Sequence, residues 1–210
     1  MTQTLIDAKE INKALSWLSK YWSRPIHPEY YTVSTVNEAL SLLDESGEGA
    51  KIIAGGIDVV GLMKDKVLSP RALINIKSVP GLNCIAENST GIAIGALTTI
   101  NDIERSSLIK SKYPALFEAA HSIASPQIRN MATIGGNICQ DVRCWYYRRS
   151  PVTGASFSCR RKNEGGTCYA LNGENQYHSI FGGNKCFAVC PSDIATILLA
   201  LHAELITIDV

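Results

Sequence analysis

Six of the seven cysteines in this 210-residue chain crowd into about a quarter of its length: Cys139, Cys144, Cys159, Cys168, Cys186 and Cys190. The stretch that holds them has little sustained apolar periodicity. A segment of about fifty residues without its own pattern needs something other than a hydrophobic core to order it. Cys84 lies apart. An odd total argues against a secreted disulfide framework, as does Met1 to Glu10, where Asp7, Lys9 and Glu10 occupy the place of a signal peptide's apolar run. In a reducing cytosol clustered cysteines are more often metal ligands or redox groups, which leaves zinc, an iron–sulfur cluster and incidental core cysteines to be separated. The expectation is a soluble, cytoplasmic protein. Its longest apolar runs, such as Ile197 to Leu201, fall far short of the roughly 20 residues of a membrane span. Twenty basic residues against nineteen acidic give a net charge of +1, with no general pull toward nucleic acid or anionic lipid.

The remainder of the chain reads as alternating helix and strand, in the ordinary composition of a globular domain. Ile11, Leu15, Leu18 and Trp22 predict an N-terminal amphipathic helix over 8–22, ended by Pro25 and Pro28. Thr35 and Glu38 form a capping-box pattern ahead of Val36, Ala39, Leu40, Leu42 and Leu43, a helix that should stop at the Gly47 to Gly49 turn. Lys51 to Ile53 is expected as a short buried strand, with further strands at Ala72 to Ile76 and Gly91 to Ile94 and a turn at Pro80-Gly81. Helices are expected from Ile100 to Ser106, capped by Thr99, over 114–124, and from Pro191 and Ser192 through Leu201. Ala203 to Val210 alternates like a strand.

Two glycine pairs share one logic. In Ala54-Gly55-Gly56-Ile57-Asp58 and Thr133-Ile134-Gly135-Gly136-Asn137, glycines follow an apolar residue or short strand. Glycine permits positive φ and lets a phosphate approach the backbone closely. A helix over Ile57 to Lys64 would add its N-terminal dipole to the first loop. Neither segment fits G-x-G-x-x-G or G-x-x-x-x-G-K-[ST], so a Rossmann site and a P-loop are disfavoured. Taken alone, each loop is equally an ordinary tight turn.

The string from Ser125-Pro126-Gln127-Ile128-Arg129-Asn130 through Met131-Ala132-Thr133-Ile134-Gly135-Gly136-Asn137-Ile138 resembles the signature of FAD-binding subunits in the molybdenum hydroxylase (xanthine dehydrogenase) family. Ala54-Gly55-Gly56 and Ile94-Gly95-Ala96-Leu97-Thr98-Thr99 match that family's other landmarks, in order and spacing, and the likeness runs from about Tyr30 onward. It implies an α+β FAD-binding fold of two α/β subdomains in which both glycine loops cradle the FAD pyrophosphate. The flavin contacts it implies fall on Ala54, Gly55, Gly56, Ile57, Asp58, Thr98, Thr133, Gly135, Gly136, Asn137 and Asp193. The family commonly has a hydroxyl residue where this chain has Ile57, so one side-chain bond to phosphate is missing while the backbone cradle remains.

Most family members run from the Gly-Gly-Asn loop directly into the next helix. Here about forty extra residues intervene, and Arg143-Cys144-Trp145-Tyr146-Tyr147, Cys159, Cys168 and Cys186-Phe187-Ala188-Val189 resemble the insert of the flavin subunit of 4-hydroxybenzoyl-CoA reductase. That resemblance implies a [4Fe–4S] cluster on Cys144, Cys159, Cys168 and Cys186, a ligand type such clusters use. Zinc remains open, since Cys139/Cys144 and Cys186/Cys190 are two fairly close pairs. Cys139 and Cys190 otherwise read as small, partly buried core residues, and Cys84 as functionless. Arg143, Arg148, Arg149, Arg160, Arg161 and Lys162 read as a solvated or subunit-facing surface. His27, His121, His178 and His202 are scattered, without metal or carboxylate spacing, and read as structural or surface residues.

No G-x-S-x-G elbow and no acid/base pair stands out, which suits an electron-transfer subunit. The resemblance implies partners: a large molybdopterin-binding subunit, a small [2Fe–2S] subunit, and an external carrier such as ferredoxin or NAD(P). The domain reading is an N-terminal extension (1–29), a first FAD-binding subdomain (30–138), a cysteine-rich insert (139–190) and the start of a second subdomain (191–210). Family members continue beyond that point, so either a separate polypeptide completes the flavin domain or the chain is a fragment. The alternative class is a zinc or iron–sulfur assembly module that has lost flavin.

Overall fold

The computed structural model describes residues 27–149, 157–163 and 165–208. The helix expected over 8–22 lies outside them.

The first layer is a parallel sheet of β1 (Glu29–Thr32), β2 (Ala50–Ile53) and β3 (Ala72–Asn75), in the order β1-β3-β2. Ala72 pairs with both Glu29 and Ala50, and Asn75 with Thr32 and Ile53. All four residues of β3 are buried, as a central parallel strand covered on both faces requires. In β2 only Ala50 and Ile53 are buried; Lys51 and Ile52 face solvent because the strand lies at the sheet edge. Helix α1 (Val36–Ser46) crosses between β1 and β2. The Thr35 hydroxyl accepts from the Glu38 N–H at 3.2 Å, while the Glu38 carboxylate accepts from Ser34 N–H at 2.8 Å, one residue earlier than a capping box places it. Gly47, at φ 54°, ends the helix. Val33, Ala39, Ala50, Ala72, Ile74 and Val79 form the core beneath.

The second layer begins with a hairpin, β4 (Ile85–Glu87) and β5 (Ile92–Ile94), which pairs Ile85 with Ile94. Five short helices follow: α3 (Ile100–Arg105), α4 (Ser107–Lys112), α5 (Pro114–Ser122), α6 (Pro126–Met131) and α7 (Ile134–Ile138). Each start is dictated locally. Thr99, Ser106, Ser125 and Thr133 cap four of them through their hydroxyls, and Pro114 opens the fifth. Their apolar faces meet in a core of Ile100, Ile103, Ile109, Leu116, Ala120, Ile123 and Ile134. Arg129, only 7% exposed, locks this layer: its guanidinium donates to Glu104 at 2.7 Å and to the Ile123 and His121 carbonyls.

Between α7 and the last helix the chain makes its long cysteine-rich excursion, with one helical turn, α8 (Trp145–Arg148), and a 3₁₀ turn at Tyr169–Leu171. It returns as α9 (Asp193–Ala200), which the Ser192 hydroxyl caps and whose Ile194 is fully buried in the second core. Entry and exit are pinned together, because Ser192 Oγ donates to Asn137 Oδ1 at 2.7 Å. Residues 203–208 form no strand; no described strand lies beside them, and Ile206 is 94% exposed. An alternating pattern is not enough where no neighbour offers backbone partners.

Candidate functional site

Three sequence-separated segments meet at one end of the sheet. The first glycine pair joins β2 to α2 (Ile57–Lys64), with Gly56 in the left-handed region at φ 75°. Gly55 packs so tightly that a Cβ there would stand 1.8 Å from the Met131 carbonyl oxygen. The Met131–Gly135 segment is knitted in turn to residues 96–100. Ile100 N–H donates to Ala132, Ile134 N–H to Thr98 and Gly135 N–H to Ala96, at 2.9–3.0 Å. Residues 54–56, 96–100 and 131–136 are therefore one backbone assembly.

Only Gly56 of the four glycines uses positive φ. Gly55 and Gly135 are required by close backbone approach instead, since a Cβ on Gly135 would lie 2.9 Å from the Ala96 oxygen. The second glycine pair is also not an open loop but the first turn of α7, where the Thr133 hydroxyl accepts from Gly136 N–H at 3.2 Å. The first turn of α2, by contrast, has no side-chain cap. An uncapped helix start behind a left-handed glycine suits a phosphate, because free N–H groups and the dipole face the same way.

The other expected flavin residues are placed as follows. Ile57 is exposed at the start of α2, Ala54 precedes the turn, and Gly136 and Asp193 are exposed. Thr98 is buried, and its hydroxyl donates to the Cys84 carbonyl at 3.0 Å. Asn137 accepts from Ser192, one residue before Asp193. Asp58 turns away from its own loop: its carboxylate accepts from the Asp141 N–H at 2.7 Å and pairs with Arg148 at 2.8 Å. Arg148 also donates to the Val142 and Asp141 carbonyls. With Asp58 14% and Arg148 17% exposed, this is a half-sheltered clasp between the first glycine loop and the insert. It places Arg148 inside the fold rather than on a solvated surface.

Within the insert, Cys144, Cys159, Cys168 and Cys186 line one small pocket, together with Tyr146, Tyr147, Tyr169, Arg160, Arg161 and Lys185. Cys84, Cys139 and Cys190 are exposed and take no part, so neither Cys139 nor Cys190 is a core residue. Among the described residues no three His, Cys, Asp or Glu side chains are placed to hold a single metal ion. Burial pushes the Cys144 thiol up, against hydrogen bonds to its sulfur from the Tyr147 and Tyr146 backbones; Cys159 and Cys186 nearby add to the rise.

Side chains also order the insert. Tyr146 packs edge-on to Phe157 and stacks with Tyr169, and its hydroxyl donates to the Glu174 carbonyl at 3.0 Å. Asp141 is a second anchor, bonded by the Tyr147 hydroxyl, the Val142 N–H and Arg161. Burial alone would raise its carboxyl, but these three donors hold it below the usual carboxylate range. His178, which the sequence left among the scattered histidines, stands 3.2 Å from the Cys144 sulfur through Nε2.

Comparison with known proteins bears on the whole arrangement. The family model described as "FAD binding domain in molybdopterin dehydrogenase" matches residues 24–209. The chain belongs to this family. As a FAD-binding domain of the molybdopterin dehydrogenases it is 34% identical to the aldehyde oxidoreductase FAD-binding subunit PaoB of Escherichia coli, over 85% of this chain and 55% of that subunit. Coverage that wide necessarily reaches into residues 139–190. It is 42% identical to the carbon monoxide dehydrogenase medium chain of Hydrogenophaga pseudoflava, over 52% of this chain and 38% of that one. The solved carbon monoxide dehydrogenase of the same organism, in a form lacking the Mo-pyranopterin moiety, superposes with a TM-score of 0.53 at 41% identity, covering 55% of this chain and 40% of that one. The chain thus spans about two fifths to just over half the length of these relatives. The fold is that of the FAD-binding subunits of molybdenum hydroxylases. Among the described residues no helix is long and apolar enough to cross a membrane.

Proposed function

We propose that this FAD-binding domain is the electron-transfer component of a multi-subunit molybdenum hydroxylase-type dehydrogenase, and that it carries a [4Fe–4S] cluster beside its flavin. The observation that supports this most is the shared cavity of Cys144, Cys159, Cys168 and Cys186, held against the first glycine loop by the Asp58–Arg148 clasp. Four cysteines lining one pocket match the number and type of ligands that a [4Fe–4S] cluster takes, one thiolate to each iron.

Bound flavin exchanges one or two electrons and a cluster exchanges one, which lets the pair join a one-electron path to a two-electron reaction. The chain's own residues supply position and field. Gly56 and the uncapped start of α2 offer N–H groups to a pyrophosphate, and Gly136 leaves the second side open. Arg160, Arg161 and Lys185 at the cavity counter the charge of four thiolates. No residue is nominated to act on an organic substrate. That work falls to a large molybdopterin subunit reached through a small [2Fe–2S] subunit, with ferredoxin or NAD(P) as external carrier.

The ultraviolet–visible spectrum of the protein purified without oxygen tests the reading. The two flavin bands overlaid by a broad cluster shoulder are expected, both bleached by dithionite. Zinc without iron, or a protein that takes up no flavin, would refute it.

A further inference from the structure

His178 is 8% exposed, and its surroundings fix the ring. Trp145 stands edge-on at 6.4 Å between centroids and Tyr146 lies at 6.0 Å. The His178 backbone N–H donates to the Asn175 carbonyl at 2.9 Å, and the Asn175 side chain donates to the Ala170 carbonyl at 3.0 Å. Nε2 is directed at the Cys144 sulfur, 3.2 Å away, while Nδ1 is shut off from solvent and has no hydrogen-bond partner among the described residues. A neutral imidazole carries one N–H. With the proton on Nδ1, a buried donor would go unmatched and the Nε2 lone pair would face the sulfur. With the proton on Nε2, the donor meets the sulfur and only a lone pair is left over, the lesser cost. A metal-bound thiolate would have no proton to give and would accept only, which calls for the same Nε2–H tautomer.

We propose that His178 is a positioning residue of the cysteine cavity, whose Nε2–H donates to the Cys144 thiolate and raises the reduction potential of the cluster held there. This rests on the cluster reading above. A donor aimed at a ligand sulfur disperses the negative charge that reduction adds, so the reduced state is stabilised more than the oxidised one. His178 is a side-chain group at the Cys144 sulfur that substitution can remove alone.

The test uses the full chain purified without oxygen, with His178→Leu and His178→Gln beside it. Iron and acid-labile sulfide are assayed, and the reduced-cluster EPR signal is followed against potential. About four irons are expected in each. His178→Leu should be harder to reduce by about tenfold, a fall of about 59 mV for one electron, while His178→Gln, whose amide keeps a donor, should stay near the parent. Pulsed EPR of the parent carrying ¹⁵N-histidine should show one weak nitrogen coupling, absent from both variants. If His178→Leu loses its iron, this coupling in the parent decides instead. An unshifted potential in an iron-replete His178→Leu, no ¹⁵N coupling, or a coupling strong enough for direct iron ligation would each overturn the inference while leaving the cluster reading intact. A parent without iron would overturn both.

Discussion

Glycine is demanded at Gly55 and Gly56 for different reasons, and the two can be told apart. A methyl group on Gly55 would penetrate the Met131 carbonyl, which is backbone and cannot swing aside. Gly55→Ala is expected to cost about 3 kcal/mol or more, read as a lowered unfolding midpoint, because the glycine-loop assembly must open. Gly136 faces solvent, and a Cβ there would meet only the Thr133 hydroxyl, at 3.1 Å, among the described residues. Gly136→Val should leave the midpoint within a few degrees yet lower the flavin content of purified protein; unchanged flavin would remove Gly136 from the phosphate cradle. Arg129 belongs to the fold, not the site, although it sits inside the family signature. Arg129→Met leaves Glu104 with His121 as its remaining partner among the described residues, takes the donor from two carbonyls, and should destabilise by about 2–3 kcal/mol without altering the flavin bound per folded chain.

The insert is an element with its own anchors, and its attachment to the flavin loop is testable apart from any metal. Arg148→Met removes the donor to Asp58 and to two carbonyls. It should cost about 2 kcal/mol, discounted from a fully buried pair because both side chains keep some solvent contact, and should make residues 139–190 the first site of limited proteolysis. Asp141 gives that attachment a pH dependence. Its carboxyl titrates below the ordinary value of about 3.9, so its contribution is complete above that value and is lost as pH falls through the depressed one. Proteolytic protection should hold from pH 7 down to about 4 and be lost progressively as pH falls further, and Asp141→Asn should be less protected at pH 7 and lack that acid step. Much of this scale was legible in the sequence. Thr35, Thr99 and Ser192 mark helix starts because a cap is a local signal, and the three family landmarks meet in space. The six-residue helices α4 and α6 and the three-residue strand β4 were not legible, since so few residues show no period. The Asp58–Arg148 clasp and the His178–Cys144 approach join residues 90 and 34 positions apart, and no spacing rule reaches that far.

At the scale of the whole molecule, a two-core fold joins residues 54–56, 96–100 and 131–136 into one backbone assembly and clasps a cysteine-lined insert to it. The staple of Asn137 to Ser192 lets the excursion leave and rejoin the second core at one point, so about fifty residues can be added without disturbing Ile134 or Ile194. The central claim is that this insert carries a four-iron cluster on four named thiols. The most direct measurement is iron and acid-labile sulfide per chain across seven Cys→Ala variants of the full chain purified without oxygen. About four irons are expected in the parent and in the Cys84, Cys139 and Cys190 variants, and close to none in the Cys144, Cys159, Cys168 and Cys186 variants. One zinc and no iron in the parent, or full iron in any of those last four variants, would contradict it.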